Sequence, residues 1–223
     1  MKNKILVVAT HPDDETLGCG GTILRHRANK DDVYWLIVTE TTEAGGFSPH
    51  KVITREKEIA LVSKAYGFIK VIRLGIPTTE VDQVPMKELV RKMSVVMNEV
   101  KPHTVYLPFN FDVHSDHRSI FDAAYSCTKN FRFPFLRRIL MMETLSETEF
   151  SPAVKECGFI PNFFVDISSF MQKKLDIMKV YKSEMGKHPF PRNLNNIKAQ
   201  AHFRGASAGC QYAESFMLLK EIG

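Results

Sequence analysis

No stretch of this sequence approaches the roughly 18 apolar residues that a membrane span requires. Cysteine is scarce: Cys19, Cys127, Cys157 and Cys210 are the four present, and no two form a CxxC pair. That is too few for a disulfide scaffold and wrongly spaced for a structural zinc knot. The thiols therefore read as reduced and the protein as cytoplasmic. Glycine (12) and proline (11) sit near average usage among 223 residues, which excludes collagen-like and low-complexity chains. Acid is not in excess either, since 30 Lys and Arg stand against 25 Asp and Glu for a net charge of +5. This excludes an acidic disordered tail. The basic residues are densest at Arg137-Arg138, Lys173-Lys174 and Lys182 to Arg192. Solvated faces explain those patches; no recognition motif accompanies them, so no nucleic-acid partner is expected. The run Ile5 to Ala9 behind Lys2 and Lys4 is too short for a secretory signal. Internal repeats and Gly/Ser linkers are missing, which predicts one domain over residues 1–223.

What is present is an alternation of strand and helix signals. Ile5 to Ala9 is a continuous apolar run of the kind that fits a strand buried on both faces. Leu17, Ile23 and Leu24 then give helical spacing within Thr16 to Lys30. The pattern predicts further strands at Val33 to Thr39, Ile69 to Leu74 and Val105 to Pro108. Helices are predicted over Thr54 to Tyr66, with Thr54 as N-cap and Gly67 as terminator, over Met86 to Val100, and over Arg118 to Thr128. Beyond residue 130 the signal weakens. Strands are predicted at Ile139 to Met142 and Phe163 to Ile167, a helix at Ser168 to Met185, and at least one more helix within Lys198 to Leu219. This rhythm predicts an α/β fold, a Rossmann-like doubly wound, mostly parallel sheet flanked by helices. Residues 41 to 53 and 74 to 85 follow strands as loops, on the carboxyl edge where such folds bind ligands.

Two polar clusters follow strands and reach that edge. The first is Thr10-His11-Pro12-Asp13-Asp14-Glu15, in which a tight turn lets His11 and Asp14 face one point. The second, Asp112-Val113-His114-Ser115-Asp116-His117, offers two imidazoles and two carboxylates. A catalytic zinc commonly takes three protein ligands and leaves one position open. Two ligands from the first cluster and one from the second meet that count. A remaining carboxylate can act as general base toward a metal-activated water. A remaining imidazole can stabilise an oxyanion, and a further carboxylate can orient that imidazole. These are the parts of a metal-assisted amide hydrolase, although spacing alone leaves His114 and His117 equally open as the third ligand. Gly18, Gly20 and Gly21 do not form a dinucleotide fingerprint, because Ile23 stands at the last glycine position. They read as a close approach of helix to sheet.

His11-Pro12-Asp13-Asp14-Glu15 followed by Leu17-Gly18-Cys19-Gly20-Gly21 resembles the first motif of the LmbE-like, or PIG-L, deacetylase family. His114-Ser115-Asp116-His117 resembles its second motif, and Arg204-Gly205, Gly209 and Tyr212 to Phe216 resemble its C-terminal stretch. The resemblance implies zinc-dependent removal of an N-acetyl group from an N-acetylglucosamine-type amino sugar or its conjugate. It implies zinc on His11, Asp14 and His117, Asp13 as general base, His114 as oxyanion stabiliser and Asp116 as the group that orients and charges His114. The same donor set also accepts Fe2+ or Co2+. Arg55 and Glu58 resemble the family's substrate-side helix, which makes Arg55 a candidate substrate ligand. Arg204 and Tyr212 are open between substrate contact and structure. A homo-oligomer, trimeric or hexameric, is also implied. Three other readings compete. A phosphoryl-accepting receiver domain lacks its acceptor, because Leu74-Gly75-Ile76-Pro77 contains no Asp. A non-catalytic metal-binding module calls for a fourth protein ligand. An amidase acting on another N-acylated small molecule shares every feature named above.

Overall fold

In the computed structural model, which describes residues 2–223, the run Ile5 to Ala9 forms most of β1 (Lys4–Ala9). Ile5, Val7 and Ala9 enter one apolar layer, while Leu6 and Val8 enter the other. β2 (Asp32–Glu40) repeats the arrangement, with Val33, Trp35 and Ile37 on the first side and Leu36 and Val38 on the second. A strand covered on both faces has no place for alternating polar residues, which is why these segments read as unbroken apolar runs. β3 (Lys70–Pro77), β4 (Thr104–Leu107) and β5 (Arg138–Met142) continue the parallel pairing. β6 (Phe163–Asp166) and β7 (Ala213–Glu221) complete one edge, with β7 antiparallel to both of its neighbours. The seven strands lie in the order β3-β2-β1-β4-β5-β7-β6. The chain winds outward from β1 in both directions, so the carboxyl ends of β1 and β4 flank the switch point of the sheet.

Helices cover both faces. α1 (Asp14–Ala28), α2 (Pro49–Tyr66), α5 (Met171–Met178) and α6 (Leu194–Ala208) supply Leu17, Val62, Leu175 and Ile197 to the first layer. α3 (Met86–Val100) and α4 (Ser115–Ser126) supply Met93 and Ile120 to the second. The glycines of α1 permit close contact: a Cβ on Gly21 would lie 2.6 Å from Ile167, and one on Gly20 would lie 2.5 Å from the Tyr66 hydroxyl. Among the described residues no helix is long and apolar enough to cross a membrane.

The doubly wound, mostly parallel architecture agrees with the sequence reading, but several boundaries move. α2 begins at Pro49, and its N-cap is Ser48, which accepts from the Lys51 N–H at 3.2 Å, rather than Thr54. α4 begins at Ser115 rather than Arg118, so Asp116 and His117 stand in its first turn. The helix expected over Ser168 to Met185 contracts to α5, with a short 3₁₀ turn at Lys182–Glu184. Lys198 to Leu219 divides between the end of α6, closed by Gly209 in the left-handed region, and the strand β7. Ala-rich and Leu-rich stretches carry little to separate a last helix from an antiparallel closing strand when read alone.

Candidate active site and metal centre

The strand β1 delivers Thr10 to Asp13 into a tight turn that opens directly into α1. The turn is held by its own side chains. The Asp14 carboxylate accepts from the His11 N–H at 2.7 Å, and Glu15 accepts from the Asp13 N–H at 3.1 Å. Asp13 sits at φ 142°, a left-handed backbone region unusual for a residue with a Cβ. Such strain persists only where surrounding structure enforces it, and it collects at functional sites. Here the enforcing contacts are the Glu15 carboxylate and the first helical hydrogen bonds, from Thr16 and Leu17 N–H to the Asp13 carbonyl, both 2.9 Å.

Across the switch point, β4 leads to the second cluster. His114 is the N-cap of α4: its Nδ1 accepts from the Asp116 N–H at 3.1 Å. His117, fully buried in the first turn, points back at the β1 turn. Its Nε2 lies 3.2 Å from His11 Nδ1 and 3.3 Å from Asp14 Oδ2, and His11 Nδ1 lies 3.8 Å from that oxygen. Three donors on one tetrahedral ion, each about 2.0–2.2 Å from it, stand about 3.4 Å apart. The donor set fits a divalent metal.

The outer nitrogens of both imidazoles support this. His117 Nδ1 bonds Asp112 at 2.8 Å, and His11 Nε2 bonds Asp116 at 3.2 Å. A carboxylate on the distal nitrogen fixes the tautomer and orientation of a ligating histidine. Asp112 is itself anchored by the Thr148 hydroxyl at 2.7 Å. A second convergent group, His11, His114 and Asp116, uses the other nitrogen of His11. Its carboxylate is already engaged by the N–H groups of Thr79 at 2.8 Å and Val81 at 3.4 Å. The His11, Asp14 and His117 set is therefore the better cradle.

The position of Asp116 departs from expectation. Its carboxylate serves His11 and the loop after β3, and lies 3.9 Å from His114 Nδ1. Because that nitrogen accepts from a backbone N–H, the ring proton of His114 belongs on Nε2. Burial and the neighbouring His11 hold the His114 pKa down to about 4, so the ring is neutral near pH 7.

Charge is tightly packed around this turn. Burial, reinforced by Asp14, pushes Asp13 well above the usual carboxylate range against the pull of Arg192, whose Nη1 stands 3.2 Å from Asp13 Oδ2. Burial opposes the charge of Asp14 as well, but His117 and His11 hold it well below that range. Burial likewise disfavours a charged His117, yet Asp14 and Asp112 together draw it upward. Glu15 is pushed up to about 7 by burial and receives the hydroxyls of Thr16 at 2.6 Å and Tyr181 at 2.9 Å.

A half-open cavity of about 180 Å³ lies over the turn. His11, Asp13, Arg55, His114, Glu147 and Arg192 are among its walls. Arg55 reaches it from α2 as a buried residue, donating to the Pro12 carbonyl at 2.9 Å and pairing with Glu184. Of the other candidate substrate residues, Arg204 makes a two-pronged pair with Glu143, at 2.9 and 2.5 Å, in a different cleft beside α1. Tyr212 lines a shallow surface groove with Lys198 and His202. The structure brings neither of these two to the cavity. Arg192, Glu184 and Glu147 line it although no sequence motif singles them out. Arg192 is 179 positions from its partner Asp13, a separation no local pattern bridges.

The family description PIG-L: GlcNAc-PI de-N-acetylase matches residues 6–128. The diacetylchitobiose deacetylase of Thermococcus kodakarensis is 25% identical, over 98% of this chain and 84% of its own length. The crystal structure of a conserved protein from Thermus thermophilus superimposes with a TM-score of 0.78 at 27% identity, covering 99% of this chain and 96% of that one. The 4-carboxy-2-hydroxymuconate hydratase of Pseudomonas putida shares the fold, with a TM-score of 0.77 at 18% identity, covering 100% of this chain and 98% of that one. The matched residues contain both clusters, and they make up more than half of the sequence: the chain belongs to the PIG-L, or GlcNAc-PI de-N-acetylase, family.

Proposed function

We propose that the protein is a metal-dependent N-deacetylase that hydrolyses the acetamide of an N-acetylglucosamine-type amino sugar or its conjugate. The observation that carries this reading is the convergence of three metal donors, His11, Asp14 and His117, beneath a cavity that His11 lines together with Asp13, a carboxylate on the same turn that is outside the donor set. A shared fold does not decide the reaction, and the hydratase relative is a case in point. The family membership and the deacetylase relative favour amide hydrolysis, and the donor set favours zinc among divalent ions, with Fe2+ and Co2+ as alternatives.

When bound by His11, Asp14 and His117, such an ion would supply Lewis acidity to the amide carbonyl and lower the proton affinity of water. The remaining chemistry belongs to the chain. Asp13 takes the proton of the attacking water at its carboxylate. A carboxylate whose proton affinity is raised by burial holds that proton more readily and can return it to the departing amine. Arg192 fixes the Asp13 carboxylate from the side, and the Glu15 contact fixes its backbone. His114 donates its Nε2–H to the oxygen that becomes negative in the transition state. As a neutral donor with its Nδ1 pinned to the α4 backbone, it is positioned before the reaction begins. Arg55 holds the Pro12 carbonyl and thereby the turn that carries Asp13.

The reading is tested by incubating the metal-reconstituted protein with N-acetylglucosamine and N,N′-diacetylchitobiose. Stoichiometric acetate and free amine, abolished by a chelator, are expected. Bound metal with no amine release from any N-acetylated sugar would overturn the deacetylase assignment.

A further inference from the structure

Glu147 occupies the same cavity and takes no part in the chemistry above. Its Oε2 is buried and has no hydrogen-bond partner, which sets it apart from the acids of the turn and the α4 cluster. Asp14, Asp112, Asp116 and Glu15 each accept from named donors within the turn and the α4 cluster. A buried carboxylate oxygen without a donor is costly. The backbone nevertheless holds Glu147 in place. The Val113 N–H donates to its carbonyl at 3.3 Å, and its own N–H donates to the Thr144 carbonyl at 3.1 Å. The next residue, Thr148, is bonded to Asp112 and to the Thr144 N–H. The preceding residue, Ser146, takes the left-handed region at φ 77°. A strained, well-anchored loop thus presents an acceptor with nothing to accept from.

Across the cavity stand the cations Lys51, Arg55 and Arg192. Glu184 already engages the Nη groups of both arginines, and Arg192 Nη1 also pairs with Asp13, while none of the three cations bonds Glu147. A bound molecule in the cavity can supply the missing donors. The chemistry complementary to a half-buried carboxylate with one unpartnered oxygen beside an amide-cleaving site is a neutral polyol, which offers hydroxyl donors and no charge. The cavity of about 180 Å³ is smaller than the roughly 300–1,000 Å³ of drug-sized sites and accommodates one small ring.

Resting on the deacetylase reading, we infer that Glu147 is a specificity-determining residue that accepts hydrogen bonds from ring hydroxyls of the sugar undergoing deacetylation. Neutral sugars are accepted at this wall, and sugars carrying a carboxylate or phosphate against Glu147 are disfavoured by the desolvation of two acidic groups facing each other.

The test compares wild type with Glu147→Gln, which keeps size and removes charge, and with Glu147→Ala. For N-acetylglucosamine, KM is expected to rise about tenfold or more, the scale of a lost hydrogen bond to a charged group, while kcat changes much less. For an N-acetylated alkylamine without hydroxyls, kcat/KM is expected to be the same in all three proteins. Unaltered KM for the sugar in both variants would overturn the inference, and so would an equal loss on the hydroxyl-free amide, which marks a merely structural role. Calorimetric binding of N-acetylglucosamine to the three proteins separates this inference from the deacetylase reading. If wild type binds the sugar without cleaving it, the reaction assignment fails, and weaker binding by Glu147→Gln still supports the role of Glu147.

Discussion

Two clusters of buried charge meet α1, one at its first turn and one near its middle, and they are finished to different degrees. Near the middle, Glu214 from β7 accepts from the Gly21 and Thr22 N–H groups at 2.8 and 2.7 Å and from Lys174 at 2.7 Å, and Lys174 also donates to the Leu17 carbonyl at 3.0 Å. Both carboxylate oxygens are used. This cluster bonds to the α1 backbone beside Cys19, where the helix leaves regular geometry. Around the first turn, by contrast, Glu147 Oε2, both oxygens of Glu58 on α2 and the Nε groups of Arg55 and Arg192 make no hydrogen bond, although Glu58 lies 3.5 Å from Arg55 Nη1. A closed buried network serves the fold, and a buried network with open valences is shaped for something it binds. The contrast separates Lys174 of α5 and Glu214 of the family-like C-terminal stretch from the groups proposed to do the chemistry.

Substitutions sharpen that comparison. The largest functional effect is expected from His117→Ala, which removes one donor of the cradle and leaves Asp112 Oδ2 without its imidazole partner. Bound metal, read by elemental analysis, should fall toward zero, and amine release should fall to background. The largest stability effect belongs to the closed cluster. Lys174→Met leaves Glu214 as an uncompensated buried charge, a change that costs about 3–5 kcal/mol. At about 2–4 °C per kcal/mol for a chain of this size, the melting temperature should drop by roughly 6–20 °C, while the molecules that remain folded retain kcat. A loss of kcat without loss of stability would erase the distinction between the clusters.

Smaller effects probe the supports. Gly21→Ala places a methyl against Ile167 and should cost about 1–3 kcal/mol by overpacking, visible as a lowered urea midpoint with unchanged metal content. The smallest effect is expected at His26, which bonds Asp31 at 2.8 Å and Tyr106 at 3.0 Å, far from the cavity walls. Burial lowers its pKa below the ordinary 6.5, against the pull of Asp31. The fold thus favours the neutral ring. That contribution is complete above the unfolded value near 6.5 and is lost as pH falls through it toward the lower folded value. Other groups titrate in the same window, so the His26 part is read as a difference: the urea midpoint of wild type minus that of His26→Gln should fall between pH 7.5 and pH 5, and a difference that does not change with pH would contradict it.

Much of this is legible in the sequence, for reasons that differ by residue. β1 and β2 are visible because burial on both faces forbids polar interruption. The pairing of His11 with Asp14, and the arrival of the His114 to His117 cluster at the same edge, follow from turns placed after parallel strands. The target of the Asp116 carboxylate is not legible, because the Thr79 and Val81 N–H groups that capture it belong to a loop whose conformation no period encodes. Arg192 reads as part of a solvated basic face, yet folding brings it to Asp13. Arg204, on α6, and Tyr212, just before β7, belong to a stretch that resembles the family but lie in other clefts, a placement set by tertiary packing that no local pattern encodes.

The proposed mechanism rests on Asp13 acting as a base beside a metal it would not bind. The most direct test measures metal content and amine release together in wild type and in Asp13→Asn, reconstituted side by side. Equal metal is expected in the two proteins, with a fall in kcat of about 10²–10⁴-fold in the variant, the scale of general-base catalysis. Wild-type turnover by Asp13→Asn, or loss of metal along with activity, would contradict that role.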